Sequence, residues 1–228
     1  MLQKIDEDLW HSEGHVNLPA GIQLPCRMVV IRLKSGRLWL HSPIKINDTL
    51  VQEVADLGRV GHIVAPNCFH HLFVGRWMER FPDAKTYGAM GLDRKRKDLS
   101  FSQTLDERTP EAWSDEMSQA FIDGIPALNE FVFLHRASKT LIVTDLLFNV
   151  HQANNKASEL FLRYVSGAFR KPAQSRLVKL ATRNRKAMKQ CVQKVLSWDF
   201  ERIVMAHGEI IESNGPAILR DALSSVLR

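Results

Sequence analysis

Three places in this chain of 228 residues carry the side chains that can do chemistry, and each follows an apolar run of β type. In VAPNCFHHLF, Val64 to Phe73, an adjacent pair, His70 and His71, opens an amphipathic segment. KTLIVTDLLF puts Asp145 just past a second apolar run, and RIVMAHGEI puts His207 just past a third. Two adjacent imidazoles at a strand-to-helix junction are a plausible metal site, and Asp145 and His207, each just past its own apolar run, add to that reading. An ion held that way brings the pKa of its water near neutrality and supplies a hydroxide for attack on an ester, thioester or phosphodiester. Without a metal, the same residues form a hydrogen-bonded polar cluster in a cleft, and the protein is a binding module.

Other polar residues carry less. His135, closing FVFLH, and His41, ending a hairpin, read as structural, and Cys68 reads as a small filler at a helix start. His11, His15, His62 and His151 have no supporting spacing. The sequence has no Gly-rich phosphate loop, no nucleophile elbow and no zinc-ribbon pattern.

The elements that must bring these residues together alternate along the chain. Arg27 to Leu33 and Arg37 to His41 read as a hairpin around Lys34-Ser35-Gly36. Asp48 caps a helix that Gly58 ends, strand Val60 to Ala65 follows, helix Leu72 to Arg80 stops before Pro82, and Ala84 to Tyr87 is a short strand. Gly88 to Thr109 reads as a surface excursion. The spacing of Ala112, Met117, Ala120 and Phe121 predicts a helix over Glu111 to Ile122, and Glu130 to His135 pairs with Lys139 to Thr144 in a second hairpin. Helices over Asn155 to Gly167 and Gln174 to Ser197, a strand Arg202 to Ala206 and a terminal helix Pro216 to Leu227 complete an α/β (α+β) pattern.

Composition bounds the class. The length and apolar content suit one substantial core, so residues 1–228 are expected to form a single domain. Cys26, Cys68 and Cys191 are odd in number and widely scattered, which excludes a disulfide framework and fits a reducing, cytoplasmic setting. The charged start MLQKIDEDLWHSEGH is unlike a secretory signal, no apolar run is long enough to cross a bilayer, and no membrane partner is expected. The net charge of +6 is concentrated: between Glu159 and Asp199 there is no acidic residue, while Arg163, Arg170, Lys171, Arg176, Lys179, Arg183, Arg185, Lys186, Lys189 and Lys194 all fall inside. Such a block either is a solvated helical face or draws a phosphorylated ligand, RNA or an anionic membrane surface through its summed field. It lacks the interleaved aromatic residues of a single-strand binding platform.

On these residues, nearly the whole chain resembles the metallo-β-lactamase superfamily, and within it a bacterial branch of unknown function whose first metal motif is degenerate. Where the superfamily has His-x-His-x-Asp-His after a strand, this chain has Pro66, Cys68, His70 and His71; Asp145 matches the bridging aspartate, and Ala206-His207-Gly208 matches the last histidine turn. Leu40-His41-Ser42-Pro43 stands where many members have aspartate and glycine. The resemblance implies a four-layer αββα sandwich of the metallo-β-lactamase type with the site at the rim. It also implies that the first of two metal positions has lost its ligands, while the second keeps His70, His71, Asp145 and His207 for at most one ion, zinc or iron in a looser geometry, with Asp145 as ligand and proton acceptor together. A register shifted by one residue sets Asn67 and Phe69 in the first two places, with Asn67 hydrogen-bonding a ligand or the turn backbone. The implied function is a hydrolase-like protein acting on a small or anionic ester- or phosphoester-type substrate. The alternative is a metal-free, non-catalytic protein that binds a ligand or nucleic acid on the same fold.

Overall fold

The computed structural model describes residues 1–228. Seven strands lie side by side in chain order in a first sheet: β1 (Gln3–Asp6), β2 (Leu9–Asn17), β3 (Gln23–Arg32), β4 (Leu38–His41), β5 (Val60–Ala65), β6 (Lys85–Gly88) and β7 (Gln103–Thr104). The first four pair antiparallel, and β4 to β7 run parallel. A second sheet holds β8 (Met117–Ile122), β9 (Glu130–His135), β10 (Thr140–Asn149) and β11 (Arg202–Gly208), in the order β11-β10-β9-β8, with β10 and β11 parallel.

The strands of the second sheet are apolar on both sides because both sides are covered. Phe131, Phe133, Ile142 and Val204 point into one core with Met28, Val30 and Trp39 of the first sheet. Their neighbours Val132, Leu134, Leu141, Val143, Ile203 and Met205 point into another. Helices complete the layers. On the first sheet's side lie α1 (Asp48–Leu57), α2 (Val74–Arg80) and the short α3 (Leu92–Lys95), which give Leu50, Val54, Val74, Trp77 and Leu92 to the first core. After β10 come α4 (Lys156–Leu160), continued by a π-helical turn Phe161–Ser166, then α5 (Arg176–Ala181), α6 (Arg185–Leu196), α7 (Gly215–Ala222) and α8 (Ser224–Leu227). Met188, Val192 and Val195 of α6 with Leu219 and Val226 close the second core. Each such side chain contributes about 1.5–3 kcal/mol on full burial. The result is the four-layer αββα arrangement.

Two polar ties join the sheets where β3 meets β11. The buried Arg27 donates to the carbonyl of Met205 at 2.5 Å and to Glu13 at 2.6 Å, and the carbonyl of Pro25 accepts from His207. Both fix the strand that carries His207 against the first sheet.

Several expected elements differ. Glu111–Ile122 is not a helix: residues 111–116 form turns, and Met117–Ile122 is β8, pairing antiparallel with all of β9 from Met117↔His135 to Ile122↔Glu130. Six ladder positions on an otherwise open edge outweigh the helical spacing of four residues. The span 174–197 is broken at Thr182–Asn184, because the Arg183 and Asn184 amides both donate to the carbonyl of Gly124 and Asn184 starts a fresh cap on Ala187. The cap of α1 is Asn47, whose side chain accepts from Leu50, rather than Asp48. Gly88–Thr109 carries α3 and β7 and buries Leu92 and Leu105 completely, so it is packed rather than a surface excursion. No helix is long and apolar enough to cross a membrane.

Candidate metal centre

The turn after β5 is built by one buried amide. Asn67 accepts from the backbone N–H of Phe69 at 2.8 Å and of His70 at 2.7 Å, which curls the chain and swings His70 inward. The same amide donates to Asp145 Oδ2 at 2.7 Å and to Thr144 Oγ1 at 2.9 Å, so it ties this turn to β10.

Asp145 sits where the parallel ladder of β10 with β11 slips, between Val143 and Phe148. There the amides of Thr144 and Asp145 are bonded not by a strand but by the fully buried carboxyl of Glu130, at 2.7 and 3.0 Å. That substitution lets the chain bulge and turns the Asp145 side chain to the rim. His207 is the penultimate residue of β11, and Gly208, its last, has φ +101°. A Cβ on Gly208 would lie 2.1 Å from the carbonyl oxygen of Asn149, so only glycine lets the two strands approach this closely.

These elements bring His70, Asp145 and His207 together, with one potential ligand atom from each inside a 4.8 Å span. His70 Nε2 lies 3.4 Å from Asp145 Oδ2, His207 Nε2 lies 3.3 Å from Asp145 Oδ1, and the two Nε2 atoms are 3.1 Å apart. Donors about 2.0–2.1 Å from a tetrahedral zinc stand about 3.3–3.4 Å from one another, so the spacing fits one ion. Outer partners orient both rings. His207 Nδ1 donates to the carbonyl of Pro25 at 2.6 Å, which turns Nε2 toward the cluster, and Ser42 Oγ lies 2.7 Å from His70 Nδ1. A backbone carbonyl or hydroxyl behind each imidazole is the pattern that holds metal-binding histidines in place.

The electrostatics agree. Burial works against a charge on Asp145, but the charge of His70 and the hydrogen bonds from His207 and His70 outweigh it and hold the carboxyl well below its usual range. Burial lowers the pKa of His70, with Asp145 pulling the other way. Glu130 is pushed up to about 8, by burial first and then by the charge of Asp145, against the bonds from Thr144 and Asp145.

His71 is not part of the cluster, which corrects its expected place among the ligands. Its ring packs against α3, where Arg96 Nη1 lies 3.0 Å from His71 Nδ1 and also donates to the His71 carbonyl. Cys68 turns away toward the carbonyl of Met90, at 3.4 Å. His41 is buried against Trp39 and Phe133, and His135 bonds Ser138 at the far end of β9. Sequence reasoning missed Glu130 and Ser42 as supports, and it held Asn67 only in the shifted register. The signal for Asn67 was its place directly after Pro66, where an Asx turn commonly starts.

The cluster opens into a cavity of about 350 Å³. Sixteen of its twenty-three lining residues are hydrophobic, and none is a lysine or arginine. α5 does border it, through Leu177, Val178 and Ala181 rather than through its cations.

A family model described as Domain of unknown function (DUF4336) matches residues 6–175, a span that ends before β11. Solved structures match almost end to end. A metallo-beta-lactamase from Pontibacter korlensis is 15% identical, with 99% of this chain and 98% of that one covered and a TM-score of 0.69. The metallo-beta-lactamase FIM-1 from Pseudomonas aeruginosa, in its mono-zinc form, is 10% identical, with 100% and 96% covered and a TM-score of 0.67. One from Hirschia baltica is 10% identical, with 100% and 95% covered and a TM-score of 0.64. At these identities the likeness establishes the fold alone, and that fold is the metallo-β-lactamase sandwich. Among curated proteins none matches.

Proposed function

The chain belongs to the DUF4336 family, and we propose that this member is a single-metal hydrolase of an ester- or phosphoester-type bond. The observation that carries this reading is the buried trio of His70, Asp145 and His207, whose mutual distances suit one ion and whose rings are each held from behind. A zinc ion held there supplies Lewis acidity to the scissile group and to water. Pro66 and Cys68 offer nothing to a second ion, so the two-sided clamp of a dinuclear site is absent from the proposal.

The chain's own residues do the rest. Asn67 holds Oδ2 of Asp145 and leaves Oδ1 toward His207. The ionised carboxylate is therefore fixed as ligand and as the nearest acceptor for a proton released from water. In the overall reaction water adds to the ester carbonyl or phosphorus, the bond to the leaving oxygen breaks, and that oxygen ends with the proton. The apolar walls keep bulk water from the cluster, which strengthens each of these electrostatic contacts.

Turnover of a panel of carboxylic esters, thioesters and phosphodiesters tests the reading. Activity on at least one class should vanish on chelation, return with zinc, and be lost in Asp145→Asn. Equal activity before and after chelation, or none in the zinc-loaded protein, would overturn it.

A further inference from the structure

We infer that the cavity beside the cluster is an acyl-chain site, so that the ester or thioester processed here carries an extended apolar arm. The inference rests on the hydrolase reading for the reaction but not for the binding. The polar lining is confined to two places: Ser42, His70, Asp145 and His207 at the cluster, and Ser166 with Ser175 elsewhere on the wall. In that serine pair Ser166 donates to Ser175 at 3.3 Å and Ser175 also accepts from the Leu177 amide at the start of α5, which leaves the Ser175 hydroxyl proton as the donor this pair offers. Asp145 is the only charged lining group besides the histidines, and no cation faces the space. A ligand lying there meets side chains such as Leu24, Ile44, Leu128, Phe148, Phe161 and Val178, and finds polar side chains only at the cluster and at the serine pair.

A sugar or nucleotide would leave its hydroxyls or phosphates unpaired against these walls, at a cost of about 1–3 kcal/mol for each buried group. A hydrocarbon arm leaves none. The volume of about 350 Å³ lies within the range of small-molecule sites, roughly 300–1,000 Å³. The way in is apolar as well: Phe69, Leu72 and Leu177 line the cavity and are each about half exposed, at 53%, 54% and 47%. Solvent-exposed apolar side chains at a mouth continuous with an apolar interior admit a chain end first and leave the carbonyl beside the trio. The ten cations of the Glu159–Asp199 interval stay outside this path, so they do not set what the cavity holds.

Binding of a homologous series of straight-chain methyl ketones, from pentan-2-one to pentadecan-2-one, reads the inference without any hydrolysis. These probes are neutral, carry one carbonyl and have no leaving group. Calorimetry on zinc-loaded and on chelated protein should show Kd falling about fourfold with each added methylene, the equivalent of about 0.8 kcal/mol, until the cavity is full. Ala181→Trp, which fills the wall from the partly exposed face of α5, should bring the plateau to a shorter chain, and Leu177→Asp should weaken the long ketones more than the short ones. Affinity independent of chain length, or an unchanged plateau in a folded Ala181→Trp protein, would overturn it. If no ester is ever hydrolysed yet the chain-length dependence stands, the hydrolase reading fails and the acyl site remains.

Discussion

His41 should make the fold sensitive to acid in a way that one substitution removes. Its ring is fully buried, stacked on Trp39 at 5.4 Å and met edge-on by Phe133 at 5.5 Å, and neither ring nitrogen has a hydrogen-bond partner. Burial is the main reason its pKa falls from 6.5 to about 3, with a smaller contribution from His70. Because the folded value lies below the unfolded one, the unfolded chain binds the extra proton first. Stability is therefore complete above 6.5 and is lost as pH falls toward 3, at about 1.4 kcal/mol per pH unit. Near pH 5 the loss from this one group is about 2 kcal/mol. His41→Leu, close in volume, also removes two orphaned nitrogens that cost about 1–3 kcal/mol each, though imperfect packing offsets part of that gain. The informative quantity is thus the slope and not the offset. Denaturant midpoints measured from about pH 7.5 to about pH 5 should show the difference between variant and parent widening by about 2 kcal/mol. His11, His62 and His71, also held down to about 4, titrate in both proteins and cancel. A difference that stays constant over this range would refute the reasoning.

Asn67→Ala should leave the sandwich folded but weaken zinc binding by about 10- to 100-fold, since it frees both the His70 turn and Asp145 Oδ2; competition with a chromophoric chelator measures this, and an unchanged affinity would contradict it. Gly208→Ala combines a left-handed φ with a Cβ 2.1 Å from Asn149, so a loss of at least about 2 kcal/mol is expected, seen as a melting temperature lower by about 4 °C or more. Reversing the charge of Arg183, Arg185 and Lys186, all exposed and none lining the cavity, should leave long-chain ketone affinity within about twofold, because the ketone carries no net charge and solvent screens exposed charges.

Much of the layered fold was legible because its central strands announce themselves. Val60–Ala65 and Glu130–His135 are runs of apolar residues between turn formers, and both match the observed strands end to end. Helix 48–57 was legible from its stripe and its closing glycine. The strand β8 was not, because Met117, Ser118, Gln119 and Ala120 lack the β-branched side chains of a strand and only the ladder with β9 makes them one. Nor were β1, whose charged residues fit an edge exposed to solvent, and β2, which is paired on both sides but carries Ser12, Glu13 and Gly14 at its centre. In the site, His70, Asp145 and His207 could be named because each follows a buried run. Their supports could not. Glu130 looks like the polar start of a strand until its carboxyl is seen to replace ladder partners for Thr144 and Asp145, 14 and 15 positions later. His71 was drawn in by its place in the family's first metal motif, and a side chain one residue on from an inward-facing neighbour turns instead to Arg96.

Metal content tests the central claim most directly. Protein purified without chelator, dialysed against buffer with micromolar zinc and analysed by mass spectrometry of the elements, is expected to hold one ion per chain, while His207→Ala and Asp145→Asn hold far less and His71→Ala keeps the full amount. Two tightly held ions per chain, an empty wild type, or loss of the ion in His71→Ala with retention in His207→Ala would contradict the account.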